Sequence, residues 1–239
     1  MTFSIVARCP RTGALGVATS SKALAAGGGV PYCRASVGAI ASQSFSNPYL
    51  GIDGLSLLEQ GLPAERALER LIEKDAGRDL RQLAIVDKDG RVAAYTGERC
   101  IDWAGHVAGG GYVCLGNMLT GEDVVKAMAA AFERSIEEEL PERLIRALEA
   151  GQDAGGDRRG RQSAGIHVVQ TEEYPYCDLR VDDHTEPVAE LRRVLTIFQR
   201  IEPFLRMSPR RDDFTPDWEA VLRVREMIEE SLQEDAATR

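Results

Sequence analysis

Tight turns, rather than long crossovers, join the strand-like runs of this chain, and that alone forces its sheets to be largely antiparallel. Pro10-Arg11-Thr12-Gly13 separates Phe3–Ala7 from Ala14–Ser20, and Asp89-Gly90 separates Gln82–Val86 from Arg91–Tyr95. Asp-Gly between two apolar runs is a strong hairpin signal, because both positions of the turn need positive φ. A third strand, Ser36–Gln43 (SVGAIASQ), is built from small and β-branched residues, which let another layer or a ligand approach closely. Tyr112–Leu115, Ala164–Val169 and Cys177–Val181 read as further strands.

Helical spacing appears in pairs between these strands. Asp53 is placed to cap a segment carrying Leu55, Leu58 and Leu62, and Pro63 suits the first turn of a second, where Ala64, Ala67, Leu68, Leu71 and Ile72 share a face. Thr120-Gly121-Glu122-Asp123 resembles a capping box ahead of Val124, Met128, Phe132 and Ile136, with Pro141–Ala150 as the next helix. Gly151–Gly160 reads as a polar, glycine-rich loop. Pro187–Arg206 is amphipathic, and after a break at Ser208–Asp213 a last helix opens at Thr215-Pro216, with Trp218, Val221, Leu222 and Ile228 on one side. Two sheets held between layers of helix would cover every apolar face. The expected organisation is one domain over residues 1–207, followed by a linker and helix over 208–239.

Composition narrows the function. A chain of 239 residues buries enough surface to need no disulfide or metal staple. Its net charge of −9, with 38 acidic against 29 basic side chains, argues against nucleic acid as a partner. Five widely spaced cysteines without a Cys-x-x-Cys pair suggest neither a disulfide framework nor a zinc site, and reduced thiols point to the cytosol. No charged-then-apolar leader and no run of 18 apolar residues is present, so a cytoplasmic protein without a membrane span is expected.

Thr2 carries the chemistry. If Met1 is removed, Thr2 holds a hydroxyl and a free α-amine within one residue, and the amine can act as base for its own hydroxyl. An unperturbed α-amine has a pKa of about 7.7–8.0, suited to proton transfer near neutrality. The segments MTFSIVA, GVATSSKALAAGGGVP, GAIASQSFSNPYLG, GGDRRGRQSAG and DLRVDDHTEPVAELRRVL together resemble an uncharacterised bacterial and archaeal family placed in the N-terminal nucleophile (Ntn) hydrolase-like superfamily. The resemblance runs from Met1 to about Leu195. It implies an α+β fold, a four-layer αββα sandwich with mostly antiparallel sheets, and Thr2 at the nucleophile position. It also puts Ser20-Ser21-Lys22 where relatives keep polar residues that steady the nucleophile. Arg34 stands near where relatives carry a lysine, and arginine there keeps the charge but not the option of shuttling a proton.

The residues themselves allow plainer readings. Ser21 and Lys22 also suit a turn, Arg34 a surface ion pair, and Asn117 a turn after Gly116. Asn117 or Gln43, with backbone N–H groups, could stabilise an oxyanion. Asp157-Arg158-Arg159-Gly160-Arg161-Gln162-Ser163 is the densest polar cluster. Its arginines could clamp a carboxylate or phosphate, or Asp157 could simply satisfy its own loop, and Ser163 should sit at a sheet end. Asp182-Asp183-His184 has metal-ligand chemistry, but neighbours on a strand point to opposite faces. The expectation is an amidohydrolase acting on a small molecule or short peptide, without metal or cofactor, as a homodimer. A non-catalytic binding or assembly protein with the same fold, and a metal-dependent hydrolase centred on Asp182 and His184, are the alternatives.

Overall fold

The first hairpin joins β1 (Thr2–Arg8) to β2 (Leu15–Ser21) across residues 9–14, closed by Cys9 N–H donating to the Ala14 carbonyl at 2.8 Å. In the computed structural model the described residues are 2–205, 208, 210–215 and 218–237. They fall into two units, one ending at Arg192 and one starting at Arg193. The remaining strands are β3 (Pro31–Arg34), β4 (Gly38–Ser44), β5 (Arg81–Asp87), β6 (Val92–Thr96), β7 (Gly105–Gly109), β8 (Tyr112–Asn117), β9 (Ser163–Val169) and β10 (Cys177–Val181). The helices are α1 (Pro48–Glu59), α2 (Ala64–Lys74), α3 (Asp123–Arg134), α4 (Leu140–Asp153), α5 (Pro187–Leu205) and α6 (Trp218–Ala237).

Every strand pairing is antiparallel, as the turns require. One sheet runs in the order β10-β9-β2-β1-β8-β7 and the other in the order β3-β4-β5-β6. The chain is therefore a mixed α/β protein with two antiparallel sheets. Helices α1 and α2 pack on the four-stranded sheet, and α3 and α4 on the six-stranded one. Alternation along β4 sorts its side chains: Ile40 joins Leu55, Leu58, Leu71 and Leu83 beneath α1 and α2, whereas Ala39 and Ala41 face the other sheet. There they meet Val6, Leu15, Val17, Val113 and Leu115. Large residues on one sheet against alanines on the other allow close packing of the two faces. Gly151 performs the matching service for α4, since a Cβ there would lie 2.7 Å from Met128 Cγ and 3.2 Å from Phe3 Cδ2.

Several boundaries depart from the sequence expectation. Helix α1 begins at Pro48, capped by the Asn47 side chain, which accepts from Tyr49 N–H at 3.1 Å, so Asp53 lies inside the helix. Asparagine followed by proline combines a favoured N-cap with a residue that needs no N–H bond. Helix α3 has no side-chain cap, and Thr120 Oγ1 instead lies 3.4 Å from the Ala154 carbonyl oxygen. That helix stops at Arg134, which leaves Ile136 exposed rather than on the buried stripe. Strands β3 and β7 are edge strands, one opening on proline and the other bounded by glycines, and neither has the composition of a buried strand. In the second unit α6 carries an Arg225–Glu229 pair at 2.8 Å. Met1, Pro216, the side chain of Ile228 and the boundary at residue 207 lie outside the described residues. No helix among the described residues is long and apolar enough to cross a membrane.

Candidate functional site

Thr2 opens the strand at the middle of the six-stranded sheet. Across β8 it faces Asn117 in register, and on the other side Phe3 faces Ser20, so Ser21 lies alongside it. Period-2 alternation turns Thr2, Ser4 and Val6 toward the second sheet and Phe3 toward α4. Thr2 Oγ1 donates to Ser21 Oγ at 3.2 Å. Ser4 Oγ lies 2.8 Å from Thr19 Oγ1 and donates to Gln43 Oε1 at 2.6 Å, across the gap between the sheets.

From Gln43 the network continues through Gln82. Gln43 Nε2 donates to the Thr2 carbonyl at 3.3 Å and to Gln82 Oε1 at 2.8 Å, and Asn117 Nδ2 donates to the same Gln82 oxygen at 2.9 Å. Gln82 Nε2 reaches the Gly116 carbonyl at 2.7 Å, the Gly105 carbonyl at 3.1 Å and Thr96 Oγ1 at 3.0 Å. Carbonyl oxygens only accept, so they fix which end of the Gln82 amide is nitrogen. Thr96 Oγ1 lies 3.0 Å from His106 Nδ1, and partial desolvation of this largely exposed ring lowers the imidazole pKa, which favours the neutral ring as acceptor. Thr2, Ser4, Thr19, Ser21, Gln43, Gln82 and Asn117 are all buried. A polar group removed from water costs several kcal/mol unless bonded, roughly 2–7 by transfer, so such a cluster survives only because its members satisfy one another.

The backbone around this cluster is strained. Ser44 directly follows Gln43 with φ 70° and Met118 directly follows Asn117 with φ 52°, whereas Ala25 (φ 52°), bonded to Asp182, and Ser36 (φ 59°), between β3 and β4, lie elsewhere. Non-glycine residues in the left-handed region are uncommon and gather where the surrounding structure dictates an unusual path, functional sites above all. The loop over residues 157–162 crosses the same end of β1. Its Arg158 N–H donates to the Met118 carbonyl at 3.2 Å beyond β8, and its Gln162 N–H to the Ser21 carbonyl at 3.1 Å on β2. Lys22 N–H donates to Asp157 Oδ2 at 2.8 Å, which closes the loop over Thr2.

Residues 2–191 match the family described as "Family of unknown function (DUF1028)". The chain belongs to that family. It is 33% identical to protein SPO2555 from Silicibacter pomeroyi, whose crystal structure carries the same family designation, over 90% of this chain and 94% of that one, with a TM-score of 0.83. Eukaryotic HslV from Trypanosoma brucei matches at 12% identity over 70% of this chain and 99% of its own, with a TM-score of 0.40. Anbu (ancestral beta-subunit) from Yersinia bercovieri matches at 12% identity over 83% and 97%, with a TM-score of 0.37. Likenesses as slight as the last two bear on neither fold nor function. Among curated proteins nothing matches the chain.

The family match spans all the candidate residues, and the fold separates them into groups. Thr2, Ser21, Gln43 and Asn117 come together. Arg34 does not join them: it pairs with Gly38 at the far end of β4, roughly 16 Å along the strand from Gln43 at about 3.3 Å per residue. It forms an exposed ion pair with Glu59 at 2.7 Å. Ser163 is buried opposite Ser21, where its Oγ donates to the Ala23 carbonyl at 2.6 Å and accepts from Ala26 N–H at 3.0 Å, holding the turn after β2. Asp157 is buried and accepts from Arg159 N–H at 2.9 Å and from its guanidinium at 3.1 Å. Arg161 pairs with Glu186, and Gln162 Nε2 donates to Asp183 Oδ1 at 3.1 Å. His184 Nδ1 accepts from Glu186 N–H at 3.0 Å. Among the described residues no three His, Cys, Asp or Glu side chains gather as a metal site. All five cysteines are free, and burial pushes the Cys33, Cys114 and Cys177 thiols up, which keeps them protonated.

Ser4, Thr19, Gln82 and Thr96 were not marked by the sequence. Ser4 left a faint signal: a hydroxyl at an inward position of an otherwise apolar strand. Gln82 left none, because nothing local distinguishes a buried glutamine at the start of a strand from an exposed one. His167, isolated in the sequence, faces Asp178 across β9 and β10 at 3.8 Å, away from the cluster.

Proposed function

We propose that this protein is an amidohydrolase of the Ntn type, with its two sheets and flanking helices forming a four-layer αββα sandwich. Thr2 is the nucleophile and its α-amine, freed by removal of Met1, the base. The observation that carries the reading is the setting of the Thr2 hydroxyl: at the end of a central strand, bonded to Ser21, with left-handed Ser44 and Met118 directly following Gln43 and Asn117. Oγ1 attacks the amide carbonyl while its proton passes to the α-amine. The C–N bond then breaks, the amine returns that proton to the leaving nitrogen, and water hydrolyses the Thr2 ester to release the acid. Both hydrogens of the Gln43 amide are already committed, to Thr2 O and Gln82 Oε1, so Gln43 acts as a positioning residue. Asn117 Nδ2 has one hydrogen on Gln82, and its second is the side-chain candidate for an oxyanion.

Thr2→Ala should abolish hydrolysis of small amides without lowering thermal stability, and Thr2→Ser should keep part of the activity. A β-lactone should add a single adduct, placed on Thr2 by fragmentation. Turnover by protein that quantitatively retains Met1 would exclude the mechanism. One observation favours the binding-protein alternative: Thr2 is only 5% exposed. Methionine-free protein that takes up no electrophile and cleaves no amide would support that alternative.

A further inference from the structure

The cations around Thr2 are unequally occupied. Arg159 is held by Asp157, and Arg161 by Glu186. Arg158 and Lys22 are exposed, and neither forms an ion pair with a carboxylate among the described residues. Lys22 Nζ donates only to the Arg161 carbonyl, at 3.2 Å, leaving an ammonium with hydrogens to spare.

Their positions are fixed by backbone bonds rather than by their side chains. Lys22 follows Ser21 and is tied to Asp157, whereas Arg158 is tied to Met118, which follows Asn117. Ser21 and Asn117 belong to the strands on either side of β1, each about 4.8 Å away. Lys22 and Arg158 therefore stand on opposite flanks of Thr2. Glycines at 155, 156 and 160, all with positive φ, let the loop bring Arg158 there.

We infer that Lys22 and Arg158 form a carboxylate subsite beside Thr2, and that the ligand is a small N-acylated amino acid whose free carboxylate they hold. Arginine supplies a planar fork and lysine a compact charge, a pairing suited to one carboxylate approached from two sides. Arg159, held by Asp157 within the loop, and Arg161, held by Glu186 beyond it, shape the loop instead of binding. Treating this ligand as a substrate rests on the amidase reading above, but the anion subsite itself does not.

The test separates the two. Binding of N-acetylalanine and of its methyl ester is measured by calorimetry on Thr2→Ala protein and on the same protein with Lys22→Ala and Arg158→Ala added. The acid should bind on the order of tenfold more tightly than the ester, as for loss of a charge-assisted hydrogen bond, and the two further substitutions should erase the difference. Arg161→Ala should retain it. Equal binding of acid and ester, no binding of the acid, or a preference that survives the double substitution would overturn the subsite. If the double variant has lost its folded thermal transition, Lys22→Gln with Arg158→Gln replaces it, and the same outcomes apply. Hydrolysis is scored separately on protein with Thr2 intact: acid preference without turnover keeps the subsite and removes the amidase.

Discussion

At position 82 a single primary amide joins both sheets. Its oxygen takes N–H groups from Gln43 and Asn117, and its nitrogen meets Thr96, Gly105 and Gly116. Gln82→Leu keeps the volume but strands two side-chain donors, from Gln43 and Asn117, and takes the donor from two backbone carbonyls, Gly105 and Gly116. The loss should be about 3 kcal/mol, read from urea denaturation, since each unsatisfied buried group costs about 1–3 kcal/mol. Arg34→Ala makes the contrast. Its partner Glu59 is 57% exposed and Arg34 is 41% exposed, so the change should stay below about 1 kcal/mol and leave activity untouched. The sequence alone does not distinguish Arg34 from Gln43 as a site residue. The difference between them is burial and register, which neither residue announces.

Elements are tied at their ends by carboxylates that do local work. Asp75 closes α2, accepting from Gly77 N–H at 2.8 Å and from Arg81 Nε at 2.9 Å, with Asn47 of the α1 cap at 3.4 Å. The Arg81 hydrogen bond, first among its causes, holds the Asp75 pKa below the ordinary 3.8. Above that value the carboxylate is charged in both folded and unfolded chains and its contribution is complete. As pH falls through and below 3.8 the unfolded chain takes up the proton first, and the stabilisation is lost. Asp75→Asn should therefore destabilise the protein by about 1–2 kcal/mol at pH 7, and the gap to wild type should narrow below pH 4 in parallel urea titrations. Asp87 plays a similar part in the second hairpin, accepting from Asp89 N–H and Arg91 N–H at 3.0 Å and from Ala64 N–H of α2 at 3.2 Å. That hairpin was legible because Asp-Gly between two apolar runs marks a turn, although only Gly90, and not Asp89, takes the positive φ expected of both. The start of α1 was misplaced because Asp53 also suits a helix cap, and it lies less than two turns after Asn47, which caps the helix.

For the whole molecule, the spacing between the sheets is the controlling dimension. Ala39, Ala41 and Ala84 present small side chains to the valines and leucines of the other sheet, all fully buried. Ala41→Leu should wedge the sheets apart, cost about 1–3 kcal/mol, and lower the thermal midpoint by several degrees in calorimetry. The small residues of this strand are read in the sequence as allowing another layer to approach closely, and the layer they meet is the second sheet. Sedimentation against the 26.1 kDa monomer mass is the measurement for assembly.

By itself the sequence determined the antiparallel sheets, the paired helices and the place of Thr2 at the head of a strand. Turn residues, apolar spacing and chain order are local properties, and each can be read within a few residues. Tertiary structure alone decided that Gln43 and Gln82 reach Thr2 and Asn117 from the opposing sheet while Arg34 is carried to the far end of β4. It also decided which arginines of the 157–162 loop are occupied, because Asp157 is close in sequence but Glu186 is distant. Those outcomes depend on strand register and on how two sheets stack, which are settled by burial of the whole apolar surface rather than by the residues of any one segment.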